Sequence, residues 1–450
     1  MKNKLIIAQY IIPAILLASG CKLESIPDPN NPSITSVTNN ASQRQLQNLV
    51  TGLESRSKDY VSAAQNVFGT FARDVWYFNS NDSRNIQYWL GQGGKKPDAA
   101  FFGTGSIYTS PYQAIKQANV LISSINNTSS VTAEQKLAYT GFAKTIQGYQ
   151  YLVPANSQYK NGIRIDVSDE LNPGPFVSYE EALTAIQKVL SEGYSDLTKA
   201  GATLPFKLSS GYAAFNTPAG LAKVNRALAA RTAIYQKNWQ GALDALNLSF
   251  FSLTADLDLG PAHVYGAPPE SFNPFFYVLN ANLSNLPVVH PSFVSEALPG
   301  DLRVKKKVFT RTTPLINTVG AVPLSSQYQD NRWATNTAPI KYIRNEELVL
   351  IYAEASAQLA QFDNAVKAID VIRASAGLQP YTGQKNLNAL ITEILFQRRY
   401  SLWFEPAGHR WFDLRRYDRL SEVPVALDAG AVFTQLERPT SEINWDDFNK

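Results

Sequence analysis

The part of the chain richest in groups able to meet a ligand reads Arg73 Asp74 Val75 Trp76 Tyr77 Phe78 Asn79 Ser80 Asn81 Asp82 Ser83 Arg84, with Tyr88 and Trp89 just beyond. A sugar presents an apolar C–H face and a rim of hydroxyls, so its site needs flat aromatics beside planar amide, carboxylate and guanidinium groups. This segment supplies both kinds. Arg73, Asp74, Trp76, Tyr77, Asn81, Asp82, Arg84 and Trp89 are therefore the candidate ligand contacts. The competing role is packing, because large aromatics are usually well buried, and Trp76, Phe78 and Trp89 are as readily core as surface.

Nothing comparable points to catalysis. His263, His290 and His409 are scattered, with no second histidine at helical spacing, so neither a zinc site nor an activated nucleophile is visible. Gly91 Gln92 Gly93 Gly94 Lys95 Lys96 lacks the earlier glycine and the Ser or Thr of a phosphate loop, and Pro97 spoils a following helix. Asp256 and Asp258 lack the remaining oxygen ligands of a calcium loop. The pair Asp446 Asp447 cannot face itself across a glycosidic bond. We expect binding without chemistry, no cofactor and no metal.

Composition agrees with a folded binding protein. Of 450 residues, 44% are hydrophobic and only 17% charged, too apolar for a disordered chain and less charged than the roughly 25% of ordinary domains. Surface polarity must then come from Asn, Gln, Ser and Thr, which suits neutral polar ligands. The formal net charge is +4, and the densest basic run, Lys305 Lys306 Lys307, is too short to neutralise many phosphates, so nucleic acid is excluded as a partner. The single cysteine, Cys21, rules out an internal disulfide framework.

Cys21 ends a segment with Lys2 and Lys4, an apolar run from Leu5 to Leu17 and the small residues Ala18 Ser19 Gly20. This is the plan of a signal peptide, residues 1–20, too short and interrupted to span a bilayer. Small residues directly before a lone cysteine resemble the bacterial lipobox, whose cysteine becomes the acylated first residue. Residues 21–35, with Pro27, Pro29, Asn30, Asn31 and Pro32, then form a tether that propagates neither helix nor strand.

The elements that must position the candidate site are mainly helical. An aromatic, two residues, Ala, two residues, Ala, then Ile or Leu recurs as Tyr179 Ala182 Ala185 Ile186, Trp239 Ala242 Ala245 Leu246 and Phe362 Ala365 Ala368 Ile369. Each set lies on one helical face, and helical stretches precede the sets at Ala133–Leu152, Leu221–Tyr235 and Glu346–Ala360. Small alanines let paired helices approach closely while the aromatic fills the turn, as in tetratricopeptide hairpins. Further helices are expected at Gln43–Tyr60 and Pro111–Ile125. The fold class is mainly α, a tetratricopeptide-like hairpin scaffold with long irregular insertions. We divide it into an N-terminal helical region at 36–250 carrying the aromatic ligand loop, an irregular insertion at 251–343 with β-like runs such as Val304–Thr312, and a C-terminal region at 344–450.

That last region contains Arg398, Leu402, Phe404, Glu405, Gly408, Arg410, Trp411, Asp413, Leu414, Arg415 and Arg416 at the spacing of a known signature. It resembles the SusD/RagB family of outer-membrane nutrient-binding lipoproteins. Gln397 and Ser401 stand where that pattern has glutamates, and Pro406 Ala407 form an insertion before the glycine. The motif itself reads as packing: Arg410, Arg415 and Arg416 are expected to fork onto carboxylates such as Glu405 and Asp413 over a layer of Trp403, Phe404 and Trp411. The resemblance implies a lipid-anchored protein on the outer membrane that captures an oligosaccharide and delivers it to a SusC-like TonB-dependent transporter. It also implies that inserted loops share in binding, and by position these would contribute Tyr265, Tyr277, Tyr328 and Trp333. Peptide capture on the RagB pattern, a tetratricopeptide adaptor for proteins, and a secreted hydrolase are the alternatives.

Overall fold

The computed structural model describes residues 37–99, 102–169 and 171–448. The expected signal peptide, Cys21 and tether at residues 1–35 lie outside the described residues. The first part runs α1 (Gln43–Arg56), α2 (Val61–Phe71), β1 (Val75–Asn79), α3 (Arg84–Leu90), α4 (Phe102–Asn127), α5 (Ala133–Gln158), β2 (Ile163–Arg164), β3 (Phe176–Val177), α6 (Tyr179–Lys199), α7 (Pro218–Tyr235) and α8 (Trp239–Asn247). Next come β4 (Ala262–His263), β5 (Asn285–Val289), α9 (Pro291–Ser295), α10 (Leu302–Lys307), β6 (Val308–Asn317), β7 (Leu324–Asp330) and β8 (Ile340–Lys341). The C-terminal part holds α11 (Asn345–Gln358), α12 (Phe362–Ser375), α13 (Leu387–Ser401), α14 (His409–Arg416) and α15 (Thr440–Phe448).

Helix starts follow local chemistry. Ser42, Thr132 and Ser178 cap α1, α5 and α6 in reciprocal capping boxes with Gln45, Gln135 and Glu181. Thr217 caps α7, with Pro218 at the first helical position. Two expected boundaries differ: α4 begins ahead of Pro111, and α5 continues through Pro154, so both prolines sit inside long helices. Extensive packing of these helices outweighs the hydrogen bond each proline removes.

The repeat builds the scaffold. Neighbouring packing runs α4, α5, α6, α7, α8, α11, α12, α13 in chain order. Tyr179, Trp239 and Phe362 are each the first residue of the second helix in a pair, half-buried at the turn, while Ala182, Ala242 and Ala365 are wholly buried at the crossings. The turns of the second and third pairs match in detail. Lys237 and Ala360 take the left-handed conformation, and the next amides, of Asn238 and Gln361, donate back to the Ala233 and Ser356 carbonyls at 2.9 and 2.8 Å.

The stretch 251–343 is more ordered than expected. It contributes β5, β6 and β7 to an antiparallel sheet of order β1-β5-β7-β6, so the segment read as a ligand loop supplies an edge strand. Within Val304–Thr312, residues up to Lys307 complete α10 and β6 begins only at Val308. Alternation along β1 splits its side chains between two cores. Val75 enters the main helical core with Val289, whereas Trp76 and Phe78 join Ile86, Leu90, Leu286, Val288, Leu315 and Leu324 in a small core on the other face.

The C-terminal motif plugs this assembly. Phe404, Trp411 and Phe412 pack onto α2, where Gly69 leaves room: a Cβ there would lie 2.5 Å from the Phe404 ring. Asp413 accepts from Arg398 Nε at 2.5 Å and Arg416 Nε at 2.9 Å, and Arg416 also pairs with Glu354. Two expected pairings are corrected. Arg415 donates to the backbone carbonyls of Asn156 and Thr434, which reach it first as α14 docks on the end of α5, and Glu405 is held by Arg344 at 2.8 Å. Burial opposes ionisation of Glu405, but Arg344 and the cations around it outweigh that and hold its pKa down to about 2.

Candidate functional site

Four of the predicted contacts are inside the protein. Arg73 is fully buried and forks onto Asp428 at 2.8 and 3.1 Å, its Nη2 also meeting the Leu90 and Ala431 carbonyls and its Nη1 those of Thr70 and Phe71. Trp76 donates its indole N–H to the same Asp428 at 3.0 Å and lies edge-on to His290. Asp74 is enclosed beneath the C-terminal motif, accepting from the Phe404 amide at 3.3 Å, and Trp89 packs into the main core against Tyr77. These residues brace a strand edge to the C-terminal tail, which corrects their reading as ligand contacts. A strand alternating between two cores leaves few of its side chains for solvent.

The other members of the segment lie at the open end of β1. Tyr77 is half-buried, hydrogen-bonded to Asn285 of β5, and burial raises its phenol pKa. Asn81 on the loop that follows and Arg84 at the start of α3 are exposed, and Asp82 takes a forked contact from Arg84 at 2.9 and 2.7 Å. That contact, ahead of the small opposing effect of burial, lowers the pKa of Asp82. Tyr277 comes from the insertion to the same sheet end, half-buried and titrating higher because of burial and nearby Tyr77. Beyond it the insertion exposes Asn282, Leu283 and Asn285. The result is a rim of phenol, amide, carboxylate and guanidinium groups around the end of one sheet. Such a rim can stack on a sugar ring and hydrogen-bond its hydroxyls.

The remaining candidates separate. Tyr328 is half-buried on β7, its hydroxyl accepting from Gln327. Tyr265 lies beside the turn between α1 and α2, with Lys58 over its ring at 5.1 Å. Trp333 lines a cleft of about 490 Å3 formed by α10, the loop before β8, the start of α11 and the loop between α13 and α14. Its indole N–H donates to Asp330 at 3.2 Å, and the Arg332 guanidinium stands 5.0 Å from its ring. Gln65, Lys307, Arg332, Arg344 and Glu405 also line this cleft. Sequence reasoning missed these five because only the fold gathers residues so far apart; the signature marked Glu405, but for packing.

His263, His290 and His409 are buried, and burial lowers their pKa values to about 3, 3 and 4. Among the described residues no group of three or more His, Cys, Asp or Glu side chains is placed to hold a metal ion. Nor, among them, is any helix long and apolar enough to cross a membrane.

A stacked helical-hairpin body with a sheet laid on it is a fold that SusD-like structures share. The model of the SusD family matches residues 314–450, which include the C-terminal signature, and bears out the resemblance. No curated protein matches the chain. Solved structures match it over most of its length. Surface glycan-binding protein A from Bacteroides uniformis superposes with a TM-score of 0.70 at 15% identity, covering 90% of this chain and 98% of that one. A laminarin-binding SusD-like protein gives 0.65 at 16%, covering 89% and 97%. Surface glycan-binding protein A from Bacteroides thetaiotaomicron, in complex with laminarihexaose, gives 0.68 at 14%, covering 90% and 98%.

Proposed function

We propose that the protein is a lipid-anchored outer-membrane protein, facing the exterior, that binds an oligosaccharide and hands it to a SusC-like TonB-dependent transporter. The observation that carries this reading is a fold shared over nine-tenths of the chain with surface glycan-binding proteins, one of them holding laminarihexaose. The rim supports it with the group types a sugar requires, and Tyr77, Asn81, Asp82, Arg84 and Tyr277 are its proposed contacts. Capture needs no bond to be made or broken, so the mechanism is binding and release. An acylated Cys21 followed by the proline-rich tether would hold the body beside the membrane.

Calorimetric titration of residues 22–450 with oligosaccharides of plant, microbial and host origin, and with mixed peptides, tests the reading. One glycan class should bind, and Tyr77→Ala or Arg84→Ala should weaken it without unfolding the chain. Peptide binding with no glycan binding would overturn it.

A further inference from the structure

The cleft beside Trp333 contains an unanswered polar group. Gln65, on α2, is 1% exposed, lines the cleft, and neither its amide oxygen nor its amide nitrogen has a hydrogen-bond partner. Buried amides are almost always paired, and one left unpaired at the wall of a cleft marks a place where a ligand or water completes the structure. Most of the charges around it are already answered, the exposed Lys306 being the exception. Arg332 is paired with Asp330, Arg344 with Glu346 and Glu405, and Lys341 with Asp258, while the Lys307 ammonium donates to the Tyr400 and Ser401 carbonyls at 2.6 Å.

We propose that this cleft is a second sugar subsite, separate from the rim, in which the Gln65 amide receives two adjacent hydroxyls of a neutral pyranose; this rests on the glycan-binding reading above. An amide offers one acceptor and a pair of donors side by side, so one hydroxyl donates to Oε1 while its neighbour accepts from Nε2. The Trp333 indole, fixed by Asp330, supplies an apolar surface for the C–H face. Arg332 and Arg344 already have carboxylate partners, and an apolar ligand would leave the amide unpaired. The cleft's size lies within the roughly 300–1,000 Å3 typical of small-ligand sites.

The full mature chain and its Gln65→Leu, Trp333→Leu and paired Asn81→Ala/Arg84→Ala forms should be titrated with laminarihexaose, maltohexaose, xylohexaose and mannohexaose, with melting curves alongside. Leucine keeps the bulk of Gln65 and removes its unpaired atoms, so Gln65→Leu is expected to melt no lower than the parent and to bind the recognised glycan about tenfold more weakly. Trp333→Leu, at a half-buried position, should lose affinity to a similar degree. Parental affinity in both variants, with a loss only in the Asn81/Arg84 form, would overturn the subsite and leave the glycan reading standing. If the parent binds none of the four hexasaccharides nor any wider glycan panel, the glycan reading falls and takes the subsite with it.

Discussion

Asp428 answers two buried donors at once, the Arg73 guanidinium and the Trp76 indole. Removing one partner of a buried ion pair leaves a charge without water or counter-ion, which costs roughly 3–5 kcal/mol. Asp428→Ala is therefore expected to lower the urea midpoint strongly, whereas Asn81→Ala, on the exposed loop, should leave it unchanged. Asp74 makes a different prediction. Burial raises its pKa from 3.8 to about 7, despite attraction from Arg399, Arg332 and Lys307. Since the folded chain holds this proton more tightly than the unfolded one, ionisation opposes folding: the penalty is absent below about pH 4, grows between pH 4 and 7, and is complete above that. Asp74→Asn should then be more stable than the parent near pH 8, on the order of a few kcal/mol, with the difference vanishing toward pH 4. The buried histidines work in the opposite sense, full stability above about pH 6.5 being lost as acid forces protons onto them, so the difference between the two proteins' pH curves is the quantity to measure. Residue type alone marked the 73–89 segment as special but not its role: Trp76 and Tyr77 carry similar chemistry, and only their opposite directions along β1 decide which is enclosed.

The helical pairs depend on small residues where axes close up. A Cβ on Gly141 of α5 would sit 2.6 Å from Leu197 Cγ and 2.9 Å from the Gly193 carbonyl oxygen of α6. Gly141→Ala should destabilise the chain by about 1–2 kcal/mol, because overpacking exceeds the gain in helix propensity. Gly105 of α4 has open space around the same position, so Gly105→Ala should stabilise by about 0.5–1 kcal/mol, and urea denaturation of both variants checks the pair. These pairs were legible in the sequence because their signal is local: a cap, an aromatic at the first helical position, alanines three residues apart. The sheet was not, since β1 pairs with β5 some two hundred residues later, for example Trp76 opposite Val288, and no nearby residue records that partnership. The rim inherits the same blindness, because Tyr77 and Tyr277 meet only through that pairing.

For the molecule as a whole, the C-terminal signature told most, because its arginines and aromatics hold fixed spacing while they knit α11, α13 and α14 onto α2. The signature marks the scaffold, while the proposed contacts lie on segments that follow no such pattern. One bond spans nearly all of it. Arg73 and Asp428 lie 355 positions apart, and Trp76 depends on the same carboxylate. A ribosome releases the N-terminal strand long before it makes the residue that fastens it, and closing so large a loop is slow. Until the final segment emerges, the sheet edge has no counter-charge and the first helices have no plug. A chain that lacks its last segment therefore leaves both the Arg73 guanidinium and the Trp76 indole without their shared acceptor.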